Sequence, residues 1–113
     1  MKVLQLFLPL FICSCLFGCS RTSNVQTKTH LVEIKQMKFV PAKLTVAPGD
    51  SIKWVNRDIV EHDVLGEDKG LFKSKRLQTN DAFAVKITGE EKEIQYLCSL
   101  HPTMEGEIII MNP

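Results

Sequence analysis

The stretch YLCSLHPTMEGEIII, Tyr96 to Ile110, places a thiol, an imidazole and a thioether three residues apart. Cys98, His101 and Met104 follow an alternating apolar segment that is typical of a β-strand, so they fall where that strand ends. All three side chains are soft or borderline ligands for transition metals. The spacing therefore predicts a metal-binding loop, which needs at least one further ligand from elsewhere in the chain.

The missing ligand has few candidates, because the chain contains only three histidines. His30 lies at the boundary between a polar N-terminal segment and the first predicted strand, where we expect a solvent-exposed side chain. His62 lies in NRDIVEHDV, directly after the predicted strand that carries Trp54. In a sandwich of strands, the end of that strand and the end of the Cys98 strand can lie at the same pole. His62 can then complete a four-ligand site.

These four side chains would be selective for copper. Zinc sites usually contain more thiolates or histidines and gain little from a thioether. Copper accepts both kinds of donor, since imidazole suits Cu(II) whereas thiolate and thioether favour Cu(I). A trigonal plane of two histidines and one cysteine, with a distant methionine, is the arrangement of copper electron-transfer sites. The interpretation is therefore a single type 1 copper.

The rest of the domain has the pattern of short strands. HLVEIKQ, AKLTVAPGDSIKWVN, DAFAVKI and GEIIIMN alternate or cluster apolar residues between turn signals, without a helical period. Pro48-Gly49 predicts a tight turn with a positive φ at the glycine, and residues 66–77 break the alternation as an irregular connection. The fold class expected is all-β, a small antiparallel β-sandwich. The residues that alternation turns inward are Val32, Ile34, Leu44, Val46, Ile52, Trp54, Phe83, Val85, Ile87, Ile94, Tyr96 and Cys98.

YLCSLHPTMEGEIII and WVNRDIVEHDV together resemble the cupredoxins, the blue copper proteins, of the amicyanin and plastocyanin type. The resemblance covers residues 31–111, and Cys-x₂-His-x₂-Met matches the short ligand loop of the amicyanin type. It implies a Greek-key β-sandwich that carries electrons, with the edge of the C-terminal histidine ring at the surface. The copper ligands that the resemblance implies are His62, Cys98, His101 and Met104.

Two positions near this loop depart from the family pattern. Asp63 stands where the family usually has asparagine; its carboxylate can accept hydrogen bonds from Ser99, and its charge should lower the reduction potential. Leu100 stands where proline is common, so its N–H can donate to the Cys98 sulfur, which should raise the potential. Because the two effects oppose each other, the sequence does not predict the net potential.

The N-terminal segment is expected to be a lipoprotein-type signal peptide, residues 1–18. After Lys2 come 16 residues without a charge, shorter than the roughly 20 that span a membrane. They end at LFGC, which resembles the box in which Cys19 is lipidated; a simple cleaved signal and an uncleaved anchor are the alternatives. Residues 19–29 would be a flexible tether and residues 30–113 the cupredoxin domain. We expect an exported protein, in the periplasm or at the cell surface, tethered to a membrane.

The charge of the chain bears on nucleic-acid binding, and its cysteine content bears on metal binding. Without Lys2 the basic residues number 13, equal to the acidic ones, which gives no signal for nucleic-acid binding. Cys13 and Cys15 would leave with the signal and Cys19 would carry lipid, so Cys98 is the thiol left for a metal. The exposed-looking run KSKR, residues 73–76, can steer an acidic partner or be a solvated loop.

Three classes of function compete for this site. The interpretation preferred here is a monomeric electron carrier that meets redox protein partners. Copper capture, storage or delivery would use the same residues. An enzyme of the copper nitrite reductase or multicopper oxidase kind is not expected, because such enzymes need further histidines for additional coppers. An immunoglobulin-like interaction module remains the alternative for the fold alone, although its usual disulfide is absent.

Overall fold

The computed structural model describes residues 18–20, 23–68 and 70–112. These residues form eight strands in two four-stranded sheets, which confirms the predicted all-β sandwich. Apart from Gly18, the predicted signal segment lies outside the described residues. Within the ranges given, no helix has the length and apolar character needed to cross a membrane. The strands are β1 Thr29–Lys35, β2 Lys38–Val40, β3 Lys43–Val46, β4 Ser51–Asn56, β5 Leu65–Gly66, β6 Ala82–Lys86, β7 Glu93–Cys98 and β8 His101–Ile110.

The two sheets have the strand orders β2-β1-β4-β6 and β3-β8-β7-β5. Four of the neighbouring pairs are antiparallel, as predicted, whereas β1 and β4, and likewise β3 and β8, run parallel. The parallel pairs arise because the chain changes sheets between neighbours. After the β1–β2 hairpin, β3 joins the second sheet, and β4 returns to the first beside β1. The result is the Greek-key sandwich that the resemblance implied.

The core lies between the sheets and follows the predicted alternation. Trp54 on β4 is fully buried, and its ring centroid lies 5.3 to 5.9 Å from those of Tyr96, Phe72 and Phe83. Phe72 belongs to the predicted irregular connection. Its described residues after Gly66, 67–68 and 70–77, form no strand, but hydrogen bonds fix them, such as that from the Gly66 N–H to the Phe72 oxygen, 2.9 Å. The connection therefore closes one side of the core with buried Phe72 and Leu77, and it pairs with β5 through a single bridge between Leu65 and Lys73.

The Pro48-Gly49 turn has the predicted form. The Asp50 N–H donates to the Ala47 oxygen over 3.1 Å, and Gly49 has a φ of 91°. Glycine is required here because side chains disfavour this left-handed region. The turn lies at the pole where β1 and β4 begin, and Asp50 faces back toward the first residues of β1.

The prediction that His30 is simply exposed is wrong. Its side chain is half-buried, and Nε2 lies 2.8 Å from Oδ2 of Asp50. The parallel pairing of β1 with β4 sets the start of β1 beside the turn, which puts the imidazole next to the carboxylate. Asp50 also accepts the N–H groups of Lys28 and Ala47, at 2.9 and 3.1 Å. Lys28, within the segment expected to be a tether, is therefore tied to the sandwich.

Asp50 should make the stability of the domain depend on acid pH. The hydrogen bond from the His30 ring, aided by the two N–H groups, lowers the pKa of Asp50 from 3.8 to about 2. A carboxyl whose pKa is lower in the folded state stabilises it above the unfolded pKa, and this contribution is lost as pH falls through the folded pKa. We expect the urea midpoint of the apoprotein to fall between about pH 4 and about pH 2. Asp50→Asn should lower the midpoint at neutral pH and flatten this fall; an unchanged acid limb in the variant would contradict the assignment.

Candidate metal centre

Cys98 and His101 are brought together by the turn between β7 and β8. Cys98 is the last residue of β7 and is fully buried, and His101 is the first residue of β8 and its partner across the turn. The register shifts between Leu97 and Cys98, where the regular ladder ends. As a result, Cys98 Sγ lies 3.7 Å from His101 Nδ1. The two residues between them, Ser99 and Leu100, form the turn that lets both side chains face the same point.

His62 reaches the same point from the other sheet. It follows β4 in the loop that leads to β5, and its backbone exchanges two hydrogen bonds with Leu77, of 3.2 and 2.7 Å. Its side chain is 0% exposed, and its Nδ1 lies 3.7 Å from Cys98 Sγ. The loop after β4 and the β7–β8 turn therefore share a pole, as the sequence predicted.

The separations between these donors fit a metal ion. The ligand atoms of His62, Cys98 and His101 all lie within 4.8 Å of one another, and Met104, buried on β8, lies near them. With bond lengths of about 2.0 Å to nitrogen and 2.3 Å to sulfur, a metal ion could contact Cys98 Sγ and either imidazole nitrogen across the N···S separations of 3.7 Å. His62, Cys98 and His101 would therefore hold it through two nitrogens and one sulfur. The donor set thus fits a type 1 copper.

Exposure distinguishes one of the four side chains. His62 and Cys98 are fully buried and Met104 is 4% exposed, whereas His101 is only partly buried. An electron or a small ligand arriving from solvent would therefore meet the His101 ring first. This matches the surface histidine edge that the family resemblance implied.

Asp63 braces the ligand loop as expected. Its carboxylate accepts the backbone N–H of Ser99 over 2.6 Å, and the Ser99 hydroxyl donates to its other oxygen. Its own N–H points at Cys98 Sγ over 3.5 Å. The carboxylate thus ties the loop after β4 to the turn after β7, which fixes the distance between His62 and the other ligands.

The role expected of the Leu100 N–H is not observed. Among the hydrogen bonds of the described residues, the donor to the Cys98 sulfur is the Asp63 N–H, and the Leu100 side chain packs against the core. Asp63 directly follows His62, whose Nδ1 lies 3.7 Å from the sulfur, so this donor comes from the loop after β4. Asp63 therefore contributes both a hydrogen bond to the sulfur and a nearby negative charge.

Two residues that precede His62, Asn56 and Asp58, were overlooked in the sequence analysis. Asp58 Oδ2 lies 2.9 Å from His62 Nε2, and Asn56 is fully buried, with its amide donating to the oxygens of Val60 and Leu77. Burial by itself would raise the pKa of Asp58, but the N–H of Met37 and the His62 ring, among its donors, outweigh burial and lower that pKa. The signal in the sequence was weak, because a carboxylate four residues before a ligand histidine can contact its ring only if the loop between them folds back.

The fold is an all-β sandwich, and four nitrogen or sulfur donors lie at one pole. Three of these side chains are buried and the fourth is only partly buried. This combination defines the class of mononuclear type 1 copper proteins. Comparison with known proteins agrees with this class. A family model described as "Cupredoxin-like domain" matches residues 8–110. The chain belongs to this cupredoxin-like family.

The relatives are consistent with the site. The chain is 28% identical to amicyanin from Paracoccus versutus over 94 residues, which cover 78% of this chain and 69% of that protein. A Cu(I) structure of an amicyanin variant superimposes with a TM-score of 0.69 at 26% identity, covering 74% of this chain and 82% of that one. A copper-containing nitrite reductase from Thermus scotoductus gives 0.68 at 26% identity, but only 23% of its chain is covered.

Proposed function

We propose that the protein is an electron carrier that uses one type 1 copper and passes electrons through the edge of His101. The observation that carries the proposal is the difference in exposure among the four ligands. His62, Cys98 and Met104 are buried, whereas the His101 ring is only partly buried. Bound copper would supply a one-electron Cu(II)/Cu(I) couple. The residues of this chain would hold the donors still: His62 by its backbone pairing with Leu77, and the Cys98 turn by the Asp63–Ser99 contacts. Fixed donors keep the rearrangement between oxidation states small.

The docking surface, as we define it, would consist of the two residues that follow His101, Pro102 and Thr103, and two residues of the loop that carries His62, Ile59 and Val60. All four are exposed, and Ile59 is 95% exposed although it is a large apolar side chain. Ile59 and Val60 stand in the loop of His62, whose ring centroid lies 5.0 Å from that of His101. A small apolar surface suits the brief contacts of redox encounters. The partners would be redox proteins, a donor and an acceptor, that meet a monomer of this chain.

The basic run 73–76 would steer such partners. Lys73, Lys75 and Arg76 are exposed, whereas Ser74 between them is buried and fixes the run to the Val64 backbone. Arg76 lies 3.5 Å from Glu61, an exposed pair whose attraction is weak in water. The nearby Glu61 charge nevertheless offsets that of Arg76, so the two lysines supply the net positive charge that would attract an acidic partner.

The location proposed is outside the cytosol, in the periplasm or at the cell surface. Support comes from the 16-residue apolar segment and the LFGC box of the sequence, together with a match to amicyanin. Lipidation of Cys19 would anchor the domain to a membrane through residues 20–28. Thr29 begins β1 beside Ser51, at the pole opposite Cys98, so the tether would leave the docking surface facing away from its anchor.

The function is tested by measuring electron self-exchange in mixtures of the Cu(I) and Cu(II) protein. Ile59→Asp should slow self-exchange by about tenfold or more, because two approaching copies would bring like charges together at the docking surface. Leu31→Asp is the matched control: Leu31 is 51% exposed on β1, outside the docking surface, and its variant should keep the original rate. Equal rates in both variants would contradict this surface. Rapid loss of copper to a weak chelator, with little redox cycling, would instead favour copper capture or delivery.

A further inference from the structure

The Asp58 carboxylate links a copper ligand to a distant hairpin. Its Oδ2 lies 2.9 Å from Nε2 of His62. Its two oxygens also accept the backbone N–H groups of Gln36 and Met37, at 2.7 and 3.0 Å. Its own backbone N–H donates to the buried Asn56 over 2.9 Å. The carboxylate is therefore fixed from three sides, and one of them is the ligand ring.

The hairpin between β1 and β2 has an unusual conformation for its sequence. Gln36 and Met37 are the two residues between the paired Lys35 and Lys38, and both have positive φ, 52° and 61°. Such two-residue turns strongly favour Asn-Gly, since side chains disfavour this region. Both N–H groups of the turn are directed at the one carboxylate, as in the backbone concavities that bind anions. The turn thus acts as a ready-made cradle for Asp58, and this contact helps to offset its strain.

The cradle determines which ring nitrogen of His62 carries hydrogen. An ionised carboxylate only accepts hydrogen bonds, so the Nε2 that faces Asp58 must be the donor. The neutral ring then presents the lone pair of Nδ1, the atom 3.7 Å from Cys98 Sγ. A metal ligand whose other nitrogen donates to a carboxylate is held in one tautomer and orientation, and its basicity rises.

We propose that Asp58, cradled by the Gln36–Met37 turn, is a positioning residue that keeps His62 in the orientation and tautomer that bind copper. The inference rests on the copper site of the proposed function, but not on electron transfer. An asparagine at position 58 would have one acceptor oxygen for three donors, and its NH₂ group would face another donor. The ring would lose its fixed partner while the size of the side chain stayed the same.

The chain contains a matched control at its other pole. The Asp50 carboxylate also accepts three hydrogen bonds, one from the His30 ring and two from the backbone N–H groups of Lys28 and Ala47. The two carboxylates therefore have the same chemistry, but the ring that Asp50 holds lies outside the copper site. Any general cost of losing such a cluster should appear in both variants, whereas an effect on copper should appear in one.

The experiment compares Asp58→Asn with Asp50→Asn by copper titration of the apoprotein. We expect Asp58→Asn to weaken copper binding by about 10–100-fold and Asp50→Asn to leave it unchanged. Equal copper affinity in the two variants would overturn the proposal while leaving the copper site intact. A wild type that does not bind copper would instead count against the proposed function.

A second measurement keeps the proposal testable if Asp58→Asn does not fold. In the wild-type apoprotein, ¹⁵N NMR of the histidine rings should show His62 with hydrogen on Nε2 and none on Nδ1. A dominant Nδ1–H tautomer would overturn the positioning role whatever the affinity of the variants, because that ring could not offer Nδ1 to a metal.

Discussion

Replacing Cys98 by serine should abolish the intense visible absorption of the copper-loaded protein. That band would arise from charge transfer between a thiolate and Cu(II), and serine offers only a hydroxyl that stays protonated near neutral pH. Cys98 Sγ is also the atom that both histidine nitrogens face at 3.7 Å, so the variant loses the centre of the donor set. The absorption spectrum and the copper content of the purified domain measure the effect.

Cys19 provides the control for this change. Among the described residues the free cysteines are Cys19, which is exposed, and Cys98, which is buried. Cys19→Ser should keep the full band, since the residue lies in the tether. Circular dichroism of both apoproteins separates loss of the site from loss of the fold, because a buried hydroxyl without a partner also costs stability. A visible band that survives in Cys98→Ser would exclude the thiolate ligand.

Replacing Gly106 by alanine should strongly destabilise the domain. Gly106 on β8 pairs with Tyr96 on β7, and the tyrosine ring lies over it. An added Cβ would overlap Cζ and Oη of that ring and lie 2.6 Å from Cε2. The ring has no room to retreat, because it makes edge contacts with Phe39 and Trp54, at centroid distances of 4.8 and 5.3 Å. We expect a loss of about 3 kcal/mol or more, which lowers Tm by roughly 12–24 °C in a domain of this size.

Gly66 is the matched control for Gly106. It also lies in a strand of the same sheet and beside an aromatic ring, but an added Cβ would stay 3.4 Å from the Phe72 ring, close to ordinary contact. Gly66→Ala should therefore change the stability of the apoprotein by less than about 1 kcal/mol. Thermal and urea unfolding of the two variants measure the difference. Similar midpoints for both would show that the Tyr96 ring is free to move.

The sequence could predict those parts of the site whose residues lie only a few positions apart in the chain. Cys98, His101 and Met104 lie on one turn and the strand that follows, so their separation along the chain already limits their separation in space. The inward-facing residues were predictable for the same reason, because a strand turns successive side chains to opposite faces. The Pro48-Gly49 turn followed from the backbone preferences of its two residues.

Most of the errors and omissions concern contacts between segments distant in sequence. His30 was expected to be exposed, but the pairing of β1 with β4 sets it against Asp50. The donor to the Cys98 sulfur was expected from Leu100, two residues away, yet it comes from Asp63, 35 residues away. Asp58 was overlooked because its partners include Gln36 and Met37, which lie in the β1–β2 hairpin 22 and 21 residues away.

The sequence by itself determined the kinds of donor atoms, the short loop that carries three of them and the all-β character of the chain. These follow from local chemistry: side-chain type, turn preference and the two-residue period of a strand. Tertiary structure alone decided which carboxylate holds which histidine and which N–H faces the sulfur. Those choices depend on how two sheets pack and how strands cross between them, and packing acts between atoms that are near in space whatever their distance along the chain.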